Sequence, residues 1–247
     1  MKKFLFVLTA LTIGITAFGQ NDPVTAKKKK DWSKISLGNR ANDHFMMQFG
    51  WLGWNNAPDS LNTRGWSKTF NMYVMFDWPF KTDYRFSVAA GLGLGTDNMF
   101  FNKRSIDITS NNSTLQFNNL DSANHFKKYK LATTYLEVPV ELRFSSNPED
   151  PSKSWKFALG AKVGLLLDAH TKGKTLEDKY EATTTNGDYV EKVRQKKYFN
   201  AQRIALSARI GYGSLSLWGS YQLTTLIRDG RGPDVRPINI GVTISGL

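Results

Sequence analysis

From residue 43 onward the chain reads as eight stretches in which apolar and non-apolar residues alternate, joined by connections that are by turns long and polar or short. A period of two puts each set on its own face of a β-strand. The first stretch, about 43–54, carries Phe45, Met47, Phe49 and Trp51 against Met46, Gln48 and Gly50. The second, about 67–79, carries Phe70, Met72, Val74, Phe76 and Trp78 against Thr69, Asn71, Tyr73 and Asp77. In the third, Tyr84, Phe86, Val88, Ala90, Leu92 and Leu94 oppose Arg85, Ser87, Ala89, Gly91 and Gly93, the small and polar set of a narrow lumen. The fourth, about 129–144, sets Leu136, Val138, Val140, Leu142 and Phe144 against Glu137, Pro139, Glu141 and Arg143. The fifth, about 155–169, sets seven apolar residues from Trp155 to Leu167 against Lys156, Gly160, Lys162, Gly164 and Asp168. Strands six (about 198–212), seven (about 215–227) and eight (outer face Ile238, Ile240, Val242 and Ile244) complete the series.

A soluble sandwich alternates as well, so the connections decide. Those after strands one, three, five and seven run to roughly 10 to 35 residues, while the others are short, the asymmetry of an outer-membrane barrel. Residues 95–128 and 170–197 read as its long loops. Strands of about 12 to 16 residues exceed what a tilted crossing requires. Aromatics stand at strand ends where interfacial girdles belong: Trp51 and Trp54, Trp78 and Phe80, Tyr84, Phe144 and Trp155, Tyr198 and Phe199. The expected fold is an all-β, eight-stranded antiparallel up-and-down transmembrane barrel. Eight strands leave room for side chains and none for a wide pore.

Export is expected from the start of the chain. Lys2 and Lys3 precede the apolar run Phe4–Phe18, with Ala17 and Gly19 as the small residues of a signal-peptide cleavage site after Gly19. The expected organisation is a signal peptide at 1–19, a periplasmic basic tail at 20–42 that contains Lys27–Lys30, and a barrel at 43–247 in the outer membrane of a Gram-negative bacterium. There is no cysteine, so no disulfide supports the fold. The formal charge of +12 becomes +10 once Lys2 and Lys3 are removed. Export argues against nucleic acid as its partner; outer-membrane lipid and lipopolysaccharide fit the charge.

The lumen-facing set holds Asp77, Arg85, Glu137, Glu141, Arg143, Lys156, Lys162, Asp168, Arg203 and Arg209. Buried charge is costly unless paired. With symmetric tight turns Asp77 falls opposite Arg85 and Glu137 opposite Lys162, at roughly 5 Å. Interleaved cations argue for a structural ionic network over acid/base work by Glu137 and Glu141. His170 and Asp168 share a face near the outer rim, where a barrel hydrolase would keep its triad, but no serine motif accompanies them. The histidines His44, His125 and His170 show no metal spacing, and Gly91-x-Gly93-x-Gly95 lies inside a strand with no helix after it. No catalytic residue, metal or cofactor is expected.

The segments Tyr135–Phe144, Ala158–Gly164 and Gly230–Gly241, with the signal ending Ala17-Phe18-Gly19-Gln20, resemble the PorT-like outer-membrane β-barrel proteins of Bacteroidetes. That resemblance spans nearly the whole mature chain and implies the fold and location. Because some relatives serve type IX secretion, it also implies envelope or secretion-machinery proteins as partners. The leading expectation is a non-enzymatic structural or interaction protein whose long loops at 96–128 and 170–197 form its binding surface. Alternatives are a component of a secretion apparatus, a small channel, and a lipid-modifying enzyme at the rim.

Overall fold

A computed structural model describes residues 31, 44–58, 61, 63, 66–180, 182–184 and 189–246. The expected signal peptide lies outside the described residues, as does the basic tail apart from Asp31.

Eight long strands close a ring: β1 (Phe45–Asn55), β2 (Lys68–Phe80), β3 (Asp83–Phe101), β6 (His125–Ser145), β7 (Trp155–Glu177), β9 (Gln202–Tyr212), β10 (Leu215–Gln222) and β11 (Arg236–Ser245). Neighbours in the ring are antiparallel. β1 pairs with β11 from Met46↔Ser245 to Asn55↔Arg236, so the first and last strands seal the barrel and no edge is left open. Three shorter strands stand at the long-loop end. β4 (Arg104–Asp107) and β5 (Gln116–Asn119) form a hairpin, and β8 (Val190–Arg194) pairs with β7 beyond the point where β9 leaves it.

The outward face is the lipid-compatible one along every barrel strand. Phe76, Trp78, Leu92, Val140, Leu159, Leu217 and Ile240 are exposed, while the sequence neighbours Met75, Glu141, Ala158 and Asn239 are buried. Aromatics ring the tight-turn end: Phe86 meets Phe144 at 5.1 Å between centroids, and Trp155 meets Tyr212 at 5.6 Å. The turns there are built to be tight. Gly213 takes φ +59, and a Cβ on it would stand 2.7 Å from the Ser152 carbonyl oxygen, so glycine alone suits the β9–β10 turn. In the β6–β7 turn the Ser154 hydroxyl lies 2.8 Å from the Ser145 hydroxyl and accepts the Asn147 N–H at 2.9 Å.

The structure departs from the sequence expectation in three places. The barrel strands run past the apolar band: β3 reaches Phe101, β6 starts at His125 and β7 reaches Glu177, so much of 95–128 and 170–197 is strand rather than loop. Above the band outward positions need not be apolar, and the alternation that marks a strand disappears although the hydrogen-bond ladder continues. The connections also fold inward. Leu61, Ile106, Ile108, Leu115, Tyr198, Phe199, Leu226, Ile227 and Val235 pack on the inward ends Leu52, Met99, Phe101, Leu131 and Leu166 in one buried cluster. This apolar roof lies over the long-loop end of the lumen. Tyr198 and Phe199, expected in an interfacial girdle, are fully buried in the roof, and Trp54 packs against it through Phe101 at 5.6 Å. The Tyr198 hydroxyl ties the roof down by donating to the carbonyls of Ser110 at 2.7 Å and Asn112 at 2.9 Å.

The third departure is a β-bulge. Thr134 pairs with Asp168 but Tyr135 pairs with Leu166, so Leu167 is an extra residue in β7. One added residue exchanges the two faces of everything beyond it. Leu166 is buried, Leu167 and Asp168 both turn away from the lumen, and Ala169 and Thr171 become the buried positions.

Candidate functional site

The barrel interior holds two charged groups stacked along its axis. In the upper one Arg203, on β9, is 1% exposed and donates from Nη1 to Oε1 of Glu137 on β6 at 2.8 Å and from Nη2 to Asp97 on β3. Its Nε donates to Oε1 of Gln222 on β10 at 2.9 Å, and its Cζ lies 4.0 Å from the centre of the Tyr135 ring. The other oxygen of Glu137 accepts from the Tyr73 hydroxyl on β2 and faces Lys162 Nζ on β7 at 3.3 Å. Six of the eight barrel strands thus meet at one point. Two carboxylates and two cations balance, which offsets the cost of taking them from water. Gln48 extends the tie to the seam, accepting from Asn71 at 3.1 Å and donating to Thr243 at 3.3 Å.

The lower group centres on Glu141. Its Oε2 accepts from Arg143 Nε at 2.8 Å and from Arg209 Nη2 at 3.0 Å; Arg143 lies 3.9 Å from Asp77, and Arg209 donates to Ser245 at 3.3 Å. This group is balanced too. Asp77, Arg143, Lys156 and Arg209 border a cavity of about 40 Å³ at the tight-turn mouth. The glycines facing these groups make room for them. A Cβ at Gly95 would lie 2.8 Å from the Glu137 carboxyl, and one at Gly160 would lie 2.4 Å from the Val140 carbonyl oxygen and 2.9 Å from Glu141 Cγ. The Gly91-x-Gly93-x-Gly95 run is therefore steric.

Of the ten expected lumen residues, Glu137, Lys162 and Arg203 meet in the upper group and Asp77, Glu141, Arg143 and Arg209 in the lower. The expected register does not hold. Asp77 stands opposite Ala89, and Arg85 turns to Asp83 at 2.6 Å at the mouth. Glu137 stands opposite Gly164 and reaches Lys162 diagonally. Irregular pairing at Pro79/Phe80 breaks the symmetry assumed for the first turn. Asp168 is not in the lumen: the bulge aims it outward, where its Oδ2 lies 2.6 Å from His170 Nδ1 and its Oδ1 lies 3.6 Å from Arg194 Nε. Among the described residues no serine hydroxyl is hydrogen-bonded to His170, so the pair lacks the nucleophile of a triad.

Sequence reasoning missed Asp97, Tyr135 and Gln222 as members of the upper group and gave Tyr73 no part in it. Asp97 seemed to lie in a loop, yet the inward set Gly93, Gly95, Asp97, Met99 continues the period of two, and that signal was available.

Among solved structures the chain is similar to Ail, the attachment invasion locus protein of Yersinia pestis, at 12% identity and a TM-score of 0.34 over 81% of this chain and 94% of that one. A structure of Ail in complex with the heparin analogue sucrose octasulfate matches with the same values. Comparison with curated proteins finds no match. The model of the outer membrane protein beta-barrel domain matches residues 20–228. With a closed ring of eight strands, an apolar outer face and that match over most of its length, the chain belongs to the outer membrane protein beta-barrel domain family.

Proposed function

We propose that this barrel is a non-enzymatic structural and interaction protein that works from its long-loop end, exposed at the cell surface, with both chain ends in the periplasm. The observation that supports it is the filled interior. Two neutral ion groups cross the lumen and an apolar roof lies over one end, so the barrel offers a partner its outer surfaces and no open passage. Beyond the roof, Trp66 (81% exposed) and Tyr180 (77%) are open to solvent at the long-loop end, the aromatic type enriched in protein contacts. The signal peptide at 1–19 and the basic tail at 20–42 fit this orientation, and lipopolysaccharide is the lipid partner at such a surface. A photo-crosslinking residue at Tyr180 in intact cells tests it: a discrete crosslinked envelope species is expected, and an uncrosslinked protein at every illumination dose speaks against it.

Within that reading, the resemblance of Leu136-Glu137-Val138-Pro139 to PorT-like proteins favours a secretion apparatus as the partner assembly. Deletion of the chain then blocks export of a defined set of proteins; normal export after deletion removes this version and leaves the broader one standing.

A further inference from the structure

The bulge at Leu167 has a second effect, on the outside of the barrel. From the bulge to Lys174 the even-numbered residues of β7 face outward, as do those of β6 from Lys128 to Thr134 and those of β8 beside it, while Tyr129, Thr171, Glu191 and Val193 border an inner pocket under the β4–β5 hairpin. The outward residues form a cross-strand ladder of cations. Lys130 stands opposite Lys172 and Lys172 opposite Lys192; one rung further from the bulge Lys128 stands opposite Lys174, and one rung nearer to it Arg194 stands opposite His170. Directly opposed residues on one face sit roughly 5 Å apart, where like charges destabilise a sheet. Asp168 is the one acid on this face among the described residues, and it is engaged by His170 and Arg194. Among the described residues no ion pair reaches Lys128, Lys172 or Lys192. Lys130 donates to the neutral Asn98 at 2.6 Å and lies 5.9 Å from the centre of the Phe100 ring.

Its height matters as much as its charge. Leu167 ends the unbroken run of apolar outward residues of β7, and Lys172 follows five residues later, about 16 Å along the strand. At a tilt of about 40° this is roughly 12 Å above the edge of the hydrocarbon, the level of the headgroups. We propose that the Lys130–Lys172–Lys192 ladder on the outer wall of β6, β7 and β8 binds the phosphate groups of an outer-leaflet glycolipid, whose acyl chains would lie along the apolar face below it. The ladder projects sideways from the barrel wall at bilayer level, and the apolar residues directly beneath it select a phosphate carried on a lipid over a free anion. This rests on the proposed orientation, with the long-loop end outside.

The test uses the full chain purified in detergent with EDTA present, so that no divalent ion bridges phosphate to Asp168. Native mass spectrometry is read with bis-phosphorylated lipid A and with the same lipid dephosphorylated. Retention of the phosphorylated form, and its loss by about tenfold or more in K130Q/K172Q/K192Q but not in K81Q/K153Q at the tight-turn end, is expected. Equal retention of the dephosphorylated lipid by the unaltered protein overturns the proposal without recourse to any variant. Unchanged binding by the triple variant overturns the site, and displacement by an equal concentration of inorganic phosphate overturns the lipid as the source. Protease added to intact cells reads the orientation separately: uncut long-loop segments defeat the proposed function, whereas lost lipid selectivity with those segments cut defeats the ladder alone.

Discussion

Arg203 donates to Glu137 at 2.8 Å from a strand that is not its neighbour in the ring: β7 lies between β9 and β6, so the bond ties the wall across a strand. With Asp97 bound to the same guanidinium, removing Arg203 takes the cation from buried Asp97 and leaves Glu137 with Lys162 and Tyr73 alone. Arg203→Met is expected to lower stability by about 3–5 kcal/mol, read as the urea midpoint of the folded band on unheated gels. Adding Asp97→Asn to it should recover part of the loss, since Glu137 still faces Lys162 and the one carboxylate left without a cation is then neutral. A double variant weaker than Arg203→Met alone would contradict this.

Gly160 is expected to tolerate no side chain. Its Cβ would meet the backbone oxygen of Val140, which belongs to the adjoining strand and cannot rotate away. Gly160→Ala should cost about 1–3 kcal/mol by overpacking. Gly230, with nothing within 4 Å of its added Cβ but φ +70, is the contrasting site where backbone strain alone acts. Equal urea midpoints for Gly160→Ala and the unaltered barrel would remove the steric account.

Tyr198→Phe should loosen the roof and leave the barrel closed. The hydroxyl's bonds to Ser110 and Asn112 are the lost interactions, a loss of about 0.5–1.5 kcal/mol per hydrogen bond. Limited proteolysis is the measurement: cleavage within 109–115 should speed up several-fold while the folded barrel band persists.

In planar bilayers the unaltered barrel should show no conductance steps over many insertions. The lumen is crossed at two levels by ion-paired arginines, and its apolar upper end adds a dry section. Regular steps of one amplitude would restore the channel reading.

His170→Ala is expected to leave envelope lipid profiles unchanged, because the His170–Asp168 pair faces outward beside Arg194 and, among the described residues, no serine is hydrogen-bonded to it. An altered acylation pattern, read by lipid mass spectrometry, would bring the rim enzyme back.

Much of this was legible along the chain. Period two in residues such as Phe70–Trp78 and Leu136–Phe144 told which face meets lipid, and the connection lengths told which end carries the elaborate loops. Most of the inward charges followed from the same rule. Their partners did not: Glu137 opposite Gly164 rather than Lys162, and Asp77 reaching Arg143 rather than Arg85, depend on how strands slide past one another as the ring closes.

The sequence by itself thus determined the class of fold, the number of barrel strands and the two faces of each, because side-chain alternation is a local property of an extended backbone. Only the tertiary structure decided where that alternation breaks. The single extra residue Leu167 turned Asp168 and His170 out of the lumen and aligned three lysines on the outer wall. The tertiary structure also decided that Tyr198 is roofed over. Bulge, register and roof are set by hydrogen bonds and burial between segments far apart in the chain, and no local pattern encodes them.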